Sequence, residues 1–250
     1  MNQSERNDYH KTSYGDYRTI ERDDGLPMDQ AAGARVFVNR VYNWMFCGLM
    51  VTTIIAWGIT QLGESAFRAV AALMFPLAIV ELVLVIILSA AINKMSAPVA
   101  GVLFIAYSAL NGFTLSPIFL VYTQTSICLA FGSCALMFAA TSTFGYMTGM
   151  KLDTVGSYCF MGLIGIVIAS IVNFFLHSAM LDYIISYAGI AIFVGLTAWD
   201  TQKVRMIGEQ AGEEAQSDNM RKVAVIFALN LYLDFINLFL MLLRIFGRRR

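Results

Sequence analysis

Between Val41 and Asp200 the chain runs 160 residues with only eight charged side chains. No soluble fold of this size can keep so long an apolar stretch out of water. The remaining charges are segregated, with 13 in residues 1–40, eight in 203–222, four in 244–250 and Asp234 alone between the last two groups. Charged residues make up 14% of the chain and apolar residues 58%, against about 25% and about 45–50% in globular proteins. The pattern is that of a polytopic membrane protein.

A spanning helix takes about 20 apolar residues. Seven runs meet that standard, about 41–62, 69–92, 99–121, 126–148, 155–176, 183–201 and 223–243. The predicted fold class is therefore an all-α membrane protein with seven transmembrane helices, in one domain over residues 35–247. Residues 1–34 mix charges with Ser, Tyr and Gly and show no apolar period, so they are predicted to be a disordered cytoplasmic tail. They also lack the apolar core of a cleavable signal peptide. Residues 202–222 read as the one long soluble loop, and 248–250 as a short basic C-terminal tail.

Lysine and arginine set the orientation. With the N-terminus in the cytoplasm, twelve of these residues fall inside, and only Arg68 falls in an outside loop. Arg35 and Arg40 anchor the first helix. Seven crossings then put Arg244 and Arg248–Arg250 outside, against the rule. The last segment either crosses despite them or re-enters, and its length favours crossing.

An ionisable group at the bilayer centre costs at least ~2.5–3.5 kcal/mol, so each one in a span requires an explanation. Three carboxylates qualify: Glu81, Asp200 and Asp234. At helical spacing Asn230, Asp234 and Asn237 fall within about 60° of one another, a polar stripe that does not suit lipid. The last helix should therefore be buried among the others or line a wet cavity. Flanking charges put Glu81 and Asp234 near mid-membrane and Asp200 nearer the cytoplasm, which by itself pairs Glu81 with Asp234. The alternative role for such groups, and the favoured one for Asn111 and Asn173, is hydrogen-bonded glue between helices. His177 reads as interfacial, and Gly145-x-x-x-Gly149 as a weak signal of close helix approach.

Other functions find little support. No GxxxxGK[ST], HExxH or GxSxG occurs. Neutral net charge and the lack of a basic patch with interleaved aromatics argue against nucleic acid. Cys47, Cys128, Cys134 and Cys159 lie in apolar runs without CxxC spacing, as small buried side chains and not a disulfide framework or zinc site. Two intramembrane aspartates can form a protease dyad, but neither here has the Gly-x-Gly-Asp setting of intramembrane aspartyl proteases.

The segment Ala228-Leu-Asn-Leu-Tyr-Leu-Asp-Phe-Ile-Asn-Leu-Phe-Leu-Met-Leu-Leu-Arg-Ile-Phe-Gly247 strongly resembles the signature of the Bax inhibitor family, the transmembrane Bax inhibitor motif proteins. Gly195-Leu-Thr-Ala-Trp-Asp-Thr-Gln-Lys203 is similar to the family's sixth-helix motif, and Tyr107-Ser-Ala-Leu-Asn-Gly-Phe-Thr-Leu-Ser-Pro-Ile-Phe119 to its third-helix segment. The resemblance runs from about Arg40 to Gly247 and points to the branch found in bacterial inner membranes. It implies a last helix at the centre, wrapped by the other six, and a pH-modulated calcium leak. It also implies that Asp200 and Asp234 form the pH sensor and gate, a pairing different from the one the depths suggest. The family's second-helix arginine is missing from Ala90-Ala-Ile-Asn-Lys94, which leaves Lys94 as a candidate latch.

The function expected is a pH-modulated cation leak channel with calcium as transported ion, no cofactor and no fixed metal site. Glu81, Asn230 and Asn237 are candidate lining residues of its ion pathway. Its partners are the lipid bilayer and calcium ions. The rival readings are a membrane-embedded regulator that binds a membrane protease or another membrane protein and, behind it, an intramembrane aspartyl protease.

Overall fold

A computed structural model describes residues 28–91 and 94–248. Most of the predicted tail, residues 1–27, lies outside the described residues, as do Arg249 and Arg250. The chain forms α1 (Met28–Gln61), α2 (Glu64–Ala91), α3 (Ala97–Leu115), α4 (Ile118–Val121), α5 (Gln124–Met147), α6 (Asp153–Leu176), α7 (Ala179–Ala211) and α8 (Asp218–Phe246), with a 3-10 segment at Gly212–Gln216. Among the described residues seven stretches are long and apolar enough to cross a membrane. The short α4 completes the third of them. That span was expected as one run over 99–121, but it breaks where Pro117 cannot supply a backbone N–H to the helix ladder.

Two boundaries differ more. α1 begins at Met28, so residues 28–34 of the expected disordered tail are helical. α7 continues to Ala211, which turns half of the expected 202–222 loop into helix. Charge density suggested solvated coil there, but the charges are spaced to support helix, with Arg205 bonded to Glu209 one turn on. The two extensions meet. Gly33 abuts the backbone of Gly212 so closely that a Cβ would not fit, and the Arg40 guanidinium donates to the Ala215 carbonyl at 2.8 Å.

Lipid tails are as apolar as leucine, so packing and polar contacts, not exclusion from water, decide which helix lies inside. α8 takes the centre. In its most apolar stretch 67% is buried, against 33% or less in any other span. α1, α3, α5 and α7 pack directly on it, while α2 stands mainly on α3 and α6 on α7. The fold is thus a seven-helix membrane bundle around its last helix. α8 crosses fully, and the re-entrant alternative falls. Beyond its end, Arg248 accepts from the Thr123 amide at 3.3 Å and its own amide donates to Ser126 Oγ at 3.0 Å, at the end of the bundle opposite the α1 extension.

Not every small residue faces inward. Cys134 is buried, but Cys47 and Cys128 are exposed and Cys159 is intermediate. The expectation that all four are buried fails because an apolar run has a lipid face as well as a packed one. His177 ends α6 in the left-handed conformation, φ 51°.

Candidate functional site

The stretch Thr197–Lys203 is a dense series of polar anchors that hold α7 in place. Thr201 reaches Tyr42 of α1 at 3.2 Å and Ser142 of α5 at 3.4 Å. Gln202 staples the α5–α6 connection, donating to the Met150 carbonyl at 2.7 Å and accepting from the Leu152 amide at 2.9 Å. Trp199 donates to Asp153 at the start of α6 at 3.2 Å. Its ring lies against Gly156, where a side chain would collide with it. With neighbours on α1, α5 and α6 holding it, α7 presents Asp200 in one rotational setting.

Asp200 is 7% exposed, and Asp234 on the adjoining α8 is 5% exposed. Lys203, one turn beyond Asp200 on the same helix, donates to its carboxylate at 3.2 Å. The same ammonium lies 2.9 Å from the centroid of the Trp199 ring, so it is held between a carboxylate and an aromatic face. The charges close enough to act on Asp234 are those of Asp200 and Lys203. Asp234 Oδ2 is buried and has no hydrogen-bond partner among the described residues.

Glu81 belongs elsewhere. It is half-buried on α2 and accepts from Thr114 of α3 at 2.8 Å. It acts on Tyr107 and Tyr232. Tyr232 and Asp234 are two residues apart, about 200° round the helix at 3.6 residues per turn, so Glu81 and Asp234 serve different faces of α8. The depth estimate that paired them treated Lys203 as the membrane boundary. Lys203 instead turns back onto Asp200, within a helix that runs on to Ala211.

Of the expected polar stripe on α8, Asp234 is buried while Asn230 and Asn237 are half-buried. Asn237 donates to the carbonyl of Leu233 at 2.8 Å. Lys94, the candidate latch, is exposed in the α2–α3 connection, and the ammonium at Asp200 is that of Lys203. The signal available in the sequence for Lys203 was its i,i+3 spacing from Asp200. Thr52 and Tyr232, which bond at 2.7 Å across 180 residues, gave no local signal. Gly145 does bring α5 onto the α7 backbone at Ala198, while Gly149 lies beyond the end of α5. Among the described residues no group of three or more His, Cys, Asp or Glu could hold a metal ion.

Comparison with known proteins agrees with this architecture. The family described as "Inhibitor of apoptosis-promoting Bax1" matches residues 34–250. The chain is 50% identical to the inner membrane protein YbhL of Escherichia coli K12, over 88% of this chain and 94% of that protein. It is 41% identical to an uncharacterized protein of Borreliella burgdorferi, covering 86% of this chain and 92% of the relative. An uncharacterized membrane protein of Streptococcus pyogenes serotype M1 is 46% identical over 68% of this chain and 72% of its own length. The chain belongs to the Bax inhibitor family, as an integral, multi-pass protein of a bacterial inner membrane and of the channel or transporter type, not an enzyme.

Proposed function

We propose that this protein is a pH-modulated cation leak channel, with calcium as the transported ion and Asp200 and Asp234 as its gate. The observation that carries the reading is a pair of buried carboxylates on adjoining central helices, one with an orphaned oxygen. A buried acceptor without a donor costs ~1–3 kcal/mol. A proton shared between the two acids removes that cost, and it also removes the repulsion between them. Two carboxylates about 4 Å apart repel by roughly 4 kcal/mol at an effective dielectric of about 20. Driving a gate from 1:99 to 99:1 takes about 5.5 kcal/mol. Gain or loss of one proton at the pair therefore supplies most of a gating shift, by making or breaking a bond between α7 and α8.

Lys203 takes the latch role in this reading. It holds Asp200 from within α7, so a change in the pair bears directly on the setting of that helix. For the pathway, the half-exposed stripe of α8 carrying Asn230 and Asn237 runs past Asp234. Glu81 and the unpartnered Asn111 Oδ1 add oxygen ligands on another face. Carboxylate and amide oxygens are the hard ligands that calcium takes.

Calcium flux into proteoliposomes across a pH series tests the gate. The Asp234→Asn protein is expected to lose the pH dependence of the wild type, because an amide cannot exchange the proton. Flux and pH profile both unchanged would remove the gate from the proposal, and no calcium flux from the wild type would remove the channel.

A further inference from the structure

We infer that the outer face of α1, at the end of the bundle that carries the N-terminus, binds the headgroup of an anionic phospholipid. The inward stripe of α1 is Ala34, Phe37, Val41 and Met45, all buried. On the opposite side a groove of about 440 Å³ is lined by Val36, Asn39, Arg40, Asn43, Trp44 and Cys47. That volume lies within the range of small-molecule sites, about 300–1,000 Å³.

The groove changes character along the helix as a lipid does. Exposed Val36 begins it, and Arg40 with the exposed Asn39 and Asn43 follows one turn on. One turn on, the exposed Cys47 begins an apolar path that continues through exposed Met50, Ile54 and Trp57. Exposed amides on a lipid-facing stripe have no use for hydrocarbon, and they suit the ester and glycerol depth of a bilayer. Trp44 forms a fixed wall. Its ring packs against Gly101 and meets Phe104 edge-on at 6.2 Å.

The charge selects an anion. Arg40 lies close enough to Arg221, at the start of α8, for the two guanidinium groups to act on each other as like charges. Among the described residues neither is paired with a carboxylate. Asp218 pairs with Lys222 and Glu209 with Arg205, while Glu214, next to the Ala215 that Arg40 bonds, is exposed and forms no ion pair with either arginine. Arg40 in the groove keeps donors beyond the one given to Ala215, and with the charge of Arg221 nearby and an apolar track along α1 it matches one phosphate joined to acyl chains. Basic pockets between helices on the cytoplasmic side take such headgroups, and the lysine and arginine distribution assigns this end to the cytoplasm.

The test is native mass spectrometry of the full chain in detergent, titrated with phosphatidylglycerol and phosphatidylcholine of identical acyl chains. The wild type is expected to bind phosphatidylglycerol more tightly. Arg221→Gln, at an exposed side chain, should weaken phosphatidylglycerol about fivefold, the contribution of one basic group near a membrane surface, and leave phosphatidylcholine unchanged. Cys47→Trp, which fills the groove from its apolar side, should abolish the preference without touching the core. Equal binding of the two lipids by the wild type, or full preference retained in both variants, overturns the assignment. Displacement of phosphatidylglycerol by millimolar inorganic phosphate also overturns it, because the site would then belong to a free anion.

Discussion

The two faces of α8 carry polar clusters of opposite character. On one face, Tyr232 is bonded to Thr52 of α1 at 2.7 Å. Thr52 in turn reaches the carbonyls of Ser108 at 2.8 Å and Gly48 at 3.0 Å. A threonine hydroxyl has one proton to give. Since that proton goes to a carbonyl, Tyr232 must be the donor to Thr52. The Thr52–Tyr232 group itself is neutral and hydrogen-bonded throughout, and it joins α1, α3 and α8, with Glu81 and the unpartnered Asn111 Oδ1 beyond it on the same side. On the other face, the buried Asp234 feels the charges of Asp200 and Lys203, which are bonded to each other, and one of its own oxygens has no donor. On the proposed reading, the difference separates adhesive from switch. A saturated network has nothing to gain from a proton, whereas an unsaturated pair of acids does.

Removing Lys203 should give the largest effect. Breaking a fully buried ion pair from one side costs about 3–5 kcal/mol. Lys203 retains a quarter of its side-chain exposure, so Lys203→Met is expected to cost about 2 kcal/mol in thermal or denaturant unfolding. The added change Asp200→Asn should recover most of that loss, since no uncompensated charge then remains. In flux assays Lys203→Met should alter the pH profile, and the double variant should flatten it. A lysine variant with wild-type stability and profile would make this ion pair ornamental and bring the two faces of α8 closer in kind.

How much of this comparison could be read from the sequence depends on distance along the chain. Asp200 and Asp234 stood out because a lone carboxylate in an apolar run is costly wherever it packs. The number of spans followed from run length, and the central place of α8 agrees with its polar stripe set in an all-round apolar helix. The ends differ because charge density suggests coil. In α7, Arg205 and Glu209 sit one turn apart and extend the helix instead. The break at Pro117 was hidden inside a run that hydropathy counts as continuous. The Thr52–Tyr232 bond could not be read at all, since neither residue carries a local mark of its partner. Exposed Cys47 and Cys128 differ from buried Cys134 in a way composition does not show, since it says how apolar a run is and not which way each residue faces.

Tyr232→Phe tests the adhesive side with a smaller effect. Hydrogen bonds between membrane helices contribute about 0.6 kcal/mol on average and up to ~1.7. The phenylalanine keeps the ring contacts with Phe104 and Tyr107, whose centroids lie 5.7 and 5.9 Å away. A stability loss of about 1 kcal/mol with an unchanged pH profile is the expected result. A change of profile as large as that of the Asp234 variant would mean that proton exchange runs through both faces of α8.

The smallest effect belongs to the far end of α8. There Arg244 and Asp182 meet at 3.5 Å with side chains 39% and 40% exposed. This charge pair superficially resembles Lys203–Asp200, and it isolates what burial adds. Exposed ion pairs contribute about 0–1 kcal/mol and weaken as salt screens them. Arg244→Gln should therefore lower stability by less than about 1 kcal/mol, with the deficit shrinking at high ionic strength. Its pH profile of flux should overlay the wild type. A deficit as large as that of Lys203→Met, insensitive to salt, would show that the C-terminal end of α8 is held by charge as firmly as its middle. The contrast between buried and exposed pairs would then no longer support the proposal that the central pair responds to protons.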